Sequence, residues 1–318
     1  MSLLLKIIHM ENKKVLILGS NGLVGSSLNR VLSGSENSYT IISSTRSDTD
    51  LFNFEATKSL IESTEPDVII NAAAKVGGIH ANNTQRLDFI LYNLKINLNL
   101  LESCIPYPKI NIVNLGSSCI YPLDSPNPIK ESHIMSGKLE PTNSPYAMAK
   151  LTAIEMSDAM TKQYGHKIIN LMPTNLYGPN DNFSLEHSHV IPGLIHRMFI
   201  ATKNKTPEFN IWGTGSPLRE FLFVDDLSKC IEFILINNIY ENIINVGSGD
   251  EISILKLAEM IQSELNYKGE LVFDSSKPDG NPRKLLDSSL IKEKGWNPET
   301  DFKKGLSITV NWFKENII

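Results

Sequence analysis

A doubly wound α/β fold is what this 318-residue sequence predicts, and three observations carry the prediction. The first half alternates short, continuous apolar runs with helical patterns, as strands buried on both faces of a parallel sheet do. The first of these runs ends in a loop with glycines at every third position, and the loop opens a helix. Apolar residues make up 41% of the chain and charged residues 20%, so the chain can fill one large core or two ordinary ones.

The elements follow in order. Val15-Leu16-Ile17-Leu18 is apolar throughout and stops at Gly19, and a helical pattern runs from there to Leu32. The β-rich run Tyr39-Thr40-Ile41-Ile42 is the second strand. A helix closes at 60–63, before Pro66, and Asp67-Val68-Ile69-Ile70-Asn71 is the third strand. Residues 88–104 have helix periodicity, and 110–115 form the fourth strand. A long helix over 145–164 opens at Pro145, where a proline is tolerated. The fifth strand spans 167–172. Beyond it, residues 173–217 are rich in Asn, Pro and Gly and are expected to be loops. A short strand at 243–246, a helix over 253–264 and the segment 278–312 complete the chain.

The net charge is −5, which lacks the basic footprint of a nucleic-acid binder. An anionic substrate must therefore be gathered by local cations. Three cysteines, Cys104, Cys119 and Cys230, do not read as a disulfide framework and fit a reducing, cytoplasmic setting. No metal-ligand spacing of the C-x-x-C or H-E-x-x-H kind occurs, so no metal is expected. The apolar stretch at 3–8 is too short for a signal-peptide core, and no run is long enough to cross a membrane.

Gly19-Ser20-Asn21-Gly22-Leu23-Val24-Gly25 follows the first strand directly. Gly19 allows a sharp turn, Gly22 allows a pyrophosphate to approach, and Gly25 lets the helix pack closely on the sheet. The helix N-terminus adds free N–H groups and the positive end of its dipole. The residue that reads the cofactor ribose is sought just past the second strand, where Arg46 and Asp48 are the candidates. An acidic residue there favours a free 2′-hydroxyl and an arginine favours a 2′-phosphate. Arg46 points to NADP(H).

Tyr146 and Lys150 lie four apart on the long helix and share a face. A nearby ammonium favours the phenolate and is expected to lower the tyrosine pKa. A tyrosine so tuned can exchange a proton with a carbonyl oxygen while hydride moves. The fourth strand ends in Leu115-Gly116-Ser117-Ser118-Cys119-Ile120-Tyr121-Pro122. Open α/β sheets bind ligands beyond the carboxyl ends of their strands, so Ser117 is expected to meet Tyr146 there.

With a serine, a tyrosine and a lysine behind a glycine-rich first turn, the chain resembles the extended branch of the short-chain dehydrogenase/reductase superfamily from about Lys13 onwards. Longer stretches narrow the resemblance. They are 71–82 with its Val76-Gly77-Gly78-Ile79, the Ser117-Ser118-Cys119-Ile120-Tyr121-Pro122 run, and Glu140-Pro141-Thr142-Asn143. Further on come Pro173-Thr174-Asn175-Leu176-Tyr177-Gly178-Pro179, Ser188-His189-Val190-Ile191-Pro192, and 212–221 with its Arg219-Glu220-Phe221. On these motifs the chain resembles the GDP-L-fucose synthase family.

The resemblance implies a Rossmann-type doubly wound sheet over 12–175, joined by a returning segment near 220–248, that binds NADP. It implies a smaller C-terminal substrate-binding domain over 176–219 and 249–318. The reaction implied is epimerisation at carbons 3 and 5 of a GDP-4-keto-6-deoxy sugar, then NADPH-dependent reduction at carbon 4. Ser117 and Tyr146 polarise the ketone, Lys150 supports them and holds the cofactor ribose, Cys119 is the base and His189 the acid. Cofactor contacts are implied for Leu115, Gly116, Ser117, Ser118, Pro173, Thr174, Asn175, Leu176 and His189. Arg197, Trp212, Arg219 and Asp279, with Lys277 beside it, would grip the GDP-sugar. The family commonly carries a basic residue beside the second glycine; this chain has Ser20-Asn21, which leaves the 2′-phosphate to Arg46. A homodimer through the 88–104 helix and the Tyr146 helix is also implied.

Overall fold

The computed structural model describes residues 12–276, 279 and 281–318. The apolar stretch at 3–8 and Lys277 lie outside the described residues. In chain order the elements begin with β1 (Lys13–Leu18), α1 (Leu23–Ser33), β2 (Tyr39–Ser44), α2 (Phe54–Thr64), β3 (Val68–Asn71), α3 (Ile79–Thr84), α4 (Arg86–Cys104) and β4 (Asn111–Leu115). Next come α5 (Ser144–Tyr164), β5 (Ile168–Pro173), β6 (Asn175–Tyr177), α6 (Val190–Asn204), β7 (Glu208–Trp212), β8 (Leu218–Phe223), α7 (Val224–Asn237) and β9 (Ile243–Val246). The chain closes with β10 (Glu251–Ser253), α8 (Ile254–Leu265), β11 (Glu270–Asp274), β12 (Arg283–Lys284), α9 (Ser289–Glu293) and α10 (Phe302–Asn316).

The six strands read from the sequence form one sheet in the order β2-β1-β3-β4-β5-β9, every neighbour parallel. Their apolar runs are continuous because both faces are covered. Val15 and Ile17 of β1 belong to a core shared with Leu28, Leu32, Leu227 and Ile231 of α1 and α7. Leu16 and Leu18, pointing the other way, join Ile61, Leu100 and Leu101 of α2 and α4. The strand order reverses between β1 and β3, and that switch point opens a crevice beyond the strand ends. Across the sheet, Asn71, Asn114 and Asn170 stand in register on β3, β4 and β5. The Asn71 amide donates to Asn114 Oδ1 at 3.0 Å, and Asn114 donates to Asn170 Oδ1 at 3.0 Å.

A second core gathers Tyr177, Leu194, Met198, Ile211, Phe223, Leu257, Ile261, Val310 and Phe313. Here the structure departs from the expectation of loops over 173–217. That stretch contains β6, β7 and the fifteen-residue helix α6. Branched residues and Pro192 in its first turn mask α6 in the sequence. Tertiary burial of Ile191, Leu194, Ile195 and Met198 on one stripe stabilises it. Ile291 and Trp296, which the sequence assigned to the second domain, pack in the core of the parallel sheet.

Candidate active site

The glycine loop is fixed by backbone contacts. Gly19 has φ +75°, and its N–H donates to the Ser44 carbonyl at the end of β2. A Cβ on Gly25 would lie 2.2 Å from the Gly19 oxygen and 2.6 Å from Ser20 Cα, so only glycine allows α1 to start this close to the turn. At Gly22, the N-cap of α1, no side chain caps the helix, and a Cβ would meet nothing nearer than 3.5 Å. Ser20, Asn21, Leu23 and Val24 complete the loop, and because no side chain caps the N-terminus of α1, free N–H groups remain there that fit a pyrophosphate.

Arg46 lies two residues past β2, its guanidinium 5.1 Å from the centre of the Phe52 ring. The rival Asp48 is engaged in its own turn, accepting from Thr45 N at 2.8 Å and from Thr45 Oγ1 at 2.6 Å. Those bonds hold its carboxyl below the usual range. Arg46 therefore remains the group free to meet a charged ribose substituent.

Ser117 leads from β4 into a 3₁₀ turn over Ser118–Ile120, and its Oγ accepts from the Cys119 N–H at 3.2 Å. Tyr146 and Lys150 enter from α5, which starts beside Pro145 and ends at Gly165 in the left-handed region. The Tyr146 hydroxyl is hydrogen-bonded to Ser117, and the Cys119 thiol lies close enough to act on it electrostatically. Lys150 is buried and donates to the Leu115 carbonyl at 2.6 Å. Gly116 continues the same strand end, its N–H donating to Leu171 O. The expected direction of the tyrosine shift is corrected. Burial, with Cys119 next, pushes the Tyr146 pKa up, and the Ser117 hydrogen bond only partly offsets this. Lys150 itself is pulled down to about 8 by burial, and its ammonium is directed at a carbonyl.

At the ends of β5 and β6, Thr174 donates to Glu220 O at 3.1 Å, and Asn175 donates to the same oxygen at 2.9 Å. Pro173 and Leu176 flank these two residues, placing them beside β8. His189 is the N-cap of α6, and its imidazole takes no part in capping. It is exposed to solvent, while the protein packed around the ring desolvates its charged form and lowers its pKa. The Val76–Ile79 stretch docks on the residues just before it. Gly78 N donates to His187 O at 3.2 Å, and a Cβ on Gly78 would sit 2.6 Å from Ser188 O. His187 turns instead to Glu186, 3.8 Å away. No hydrogen bond joins His189 to Cys119 among the described residues.

Arg197, Trp212, Arg219 and Asp279 form one cluster. The Arg197 guanidinium lies 5.8 Å from the Trp212 ring and 5.3 Å from that of Phe209. Asp279 accepts from Thr214 N at 2.6 Å and Thr214 Oγ1 at 2.9 Å, pinning the loop after Trp212. Burial lowers the pKa of both arginines, and the Asp279 charge opposes this at Arg219. The sequence reading missed Lys284. It stands on β12 in register with Arg219, and its ammonium reaches the Cys119 sulfur at 3.8 Å. The contact spans 165 residues, and no local pattern announces it. Among the described residues no group of three or more His, Cys, Asp or Glu side chains could hold a metal ion.

The profile of the "NAD dependent epimerase/dehydratase family" matches residues 15–247, most of the chain. The chain belongs to the NAD dependent epimerase/dehydratase family. The family match begins within β1 and ends just past β9, so it covers the parallel sheet and stops before Asp279 and Lys284. Relatives extend the likeness over those residues too. The chain is 46% identical over 306 residues to "Probable GDP-L-fucose synthase 1" of Oryza sativa subsp. japonica, covering 96% of this chain and 93% of that protein. It is 42% identical over 316 residues to "GDP-L-fucose synthase" of Escherichia coli (strain K12), covering 96% and 98%. Among solved structures it is similar to a GDP-L-fucose synthetase from Naegleria fowleri bound to NADP. That likeness has TM-score 0.88, 29% identity, and covers 98% of this chain and 97% of that one.

Proposed function

We propose that the chain converts GDP-4-keto-6-deoxy-D-mannose to GDP-L-fucose by 3,5-epimerisation followed by NADPH-dependent reduction at carbon 4. The observation that carries this reading is the meeting of Ser117, Cys119 and Tyr146 at the end of β4. A plain ketone reductase needs only the serine, the tyrosine and the lysine. A thiol beside them adds a base next to the carbonyl, which epimerisation requires.

Ser117 and Tyr146 donate to the ketone oxygen, which acidifies the neighbouring C–H bonds and stabilises the enolate. Cys119 removes the proton from one face, and His189 returns one from the other. The protein packed around the His189 ring favours its neutral form, so its acid role depends on the negative charge developing on the substrate to favour the imidazolium that gives the proton. Burial also keeps Tyr146 protonated at neutral pH, the state required to protonate the oxygen during reduction. NADP(H), when bound, supplies the hydride. Residues 12–175 with the returning 220–248 stretch hold it: Gly19 and Gly22 let the loop cradle the pyrophosphate, Gly25 lets α1 start close to the turn, and Arg46 meets the 2′-phosphate. Arg197, Arg219 and Trp212 take the GDP moiety.

The reading extends to assembly and location. Leu87, Leu91 and Leu98 of α4 and Met148 of α5 are exposed on neighbouring helices, a face suited to a homodimer. Three free cysteines support a cytoplasmic setting. No helix among the described residues is long and apolar enough to cross a membrane.

Incubation with GDP-4-keto-6-deoxy-D-mannose and NADPH, followed by cofactor absorbance and product NMR, tests the reading. NADPH oxidation with GDP-L-fucose as product is expected. Reduction without inversion would replace it with a 4-reductase acting on another nucleotide sugar. In Cys119→Ser, unchanged deuterium uptake at carbon 3 would remove Cys119 from the base role.

A further inference from the structure

Lys284 is a cation beside Cys119 that the mechanism above does not use. It is half-buried on β12, and its ammonium makes no ion pair with a carboxylate among the described residues. Its neighbour Arg283 behaves differently, pairing with Glu251 through Nε and Nη2 at 2.6–2.9 Å. Two features hold Lys284 in place. β12 pairs in parallel with β8, setting Lys284 against Arg219. The buried Glu220 carboxylate accepts the Leu286 N–H at 3.1 Å and the Gly249 N–H at 2.8 Å, fixing the chain just past β12. From this anchored strand, the lysine crosses to the β4 turn and directs its ammonium at the Cys119 sulfur, 3.8 Å away.

We propose that Lys284 is a positioning residue for Cys119, holding its sulfur as a thiolate aimed at the sugar; this rests on the reading of Cys119 as the base. A thiolate, not a thiol, is the competent base, and an adjacent ammonium favours it. The groups that the structure sets against Cys119 are Lys284 from β12, Tyr146 from α5 and Ser117 on its own turn. Tyr146 and Ser117 are neutral hydroxyls, so Lys284 supplies the charge. In the step itself the C–H bond breaks and an S–H bond forms. The electron pair passes into the enolate, whose oxygen is held by Ser117 and Tyr146. His189 gives a proton to the opposite face of the carbon and is recharged from water, and Cys119 returns its proton to water, restoring the ammonium–thiolate pair.

The test needs no substrate. Iodoacetamide alkylation of Cys119, followed by peptide mass spectrometry across pH, reads the thiolate directly; Cys104 and Cys230 are buried and serve as unreactive internal controls. In Lys284→Met the alkylation rate at neutral pH is expected to fall at least tenfold and to recover as pH rises, while Lys284→Arg keeps most of the wild-type rate. A loss of equal size at every pH, or a profile superimposable on wild type, overturns the proposal. Should Lys284→Met fold poorly, Lys284→Gln in the same assay decides. Deuterium uptake in Cys119→Ser tests the base assignment separately, so either idea can fail without the other.

Discussion

Between Gly19 and Gly25 the geometry is set by backbone against backbone, with the Gly19 oxygen filling the space a Gly25 side chain would need. Around Arg219 it is set by side chains: Asp279 holds Thr214, Arg197 stacks by Trp212, and Lys284 reaches across to Cys119. A backbone contact tolerates no added atom and fails abruptly. A side-chain contact weakens by degrees, which suits the region proposed to grip the sugar nucleotide.

The contrast can be broken most severely at Gly25. Gly25→Ala is expected to cost about 3 kcal/mol or more through overpacking against the Gly19 and Ser20 backbone, and to abolish NADPH binding. Urea unfolding and a fluorescence titration measure both; wild-type values in each would refute the close-packing argument.

Asp181, in the loop after β6, offers the next largest effect. It is buried, one carboxylate oxygen lacks a partner among the described residues, and burial raises its pKa to about 7. A folded pKa above the unfolded value of roughly 3.9 means stability present at low pH is lost as pH rises towards 7. Asp181→Asn escapes that loss. It should be more stable than wild type by on the order of 2–4 kcal/mol at pH ~8, since each pH unit separating the unfolded and folded values is worth about 1.36 kcal/mol. The gain should vanish near pH ~4, and a constant difference across that window in thermal melts would contradict the argument.

Lys150 sharpens the comparison from the sheet side. Its pKa is drawn down to about 8 by burial, so it is an ammonium below that value and neutral above it. Single-turnover reduction should therefore fall by about tenfold per pH unit above that point. A flat profile through the alkaline range would show that the charge is not needed.

The smallest effect belongs to Asp279→Ala, which frees the loop after Trp212. KM is expected to rise about tenfold, a loss of about 1.4 kcal/mol, with kcat nearly unchanged. An unaltered KM would mean that the loop is held by other contacts.

The same contrast governs what the sequence discloses. β1, β3, β4 and β5 are legible because burial on both faces writes them as unbroken apolar runs. The glycine loop, Ser117, Tyr146 and Lys150 are legible because each sits at a strand end or on one helix, where spacing alone fixes proximity. β7 alternates buried and exposed over only five residues, and α6 hides behind Pro192 and branched side chains. Lys284 is silent in the sequence because its meaning lies in a partner far away in the chain. The Tyr146 pKa escapes the sequence for a related reason: charge separation along a helix can be read from spacing, whereas burial depends on everything folded around it.

The three in-register asparagines of β3, β4 and β5 add a consequence for evolution as much as for folding. They tie together the strands whose ends launch the Val76–Ile79, Ser117 and Thr174 segments. A one-residue slip would set an amide against Ile70, Val113 or Ile169 and strand it without a partner, at about 1–3 kcal/mol each. The amides thus act as a vernier inside the sheet. Loops at the rim can lengthen, shorten or change chemistry while the three launch points stay level with one another.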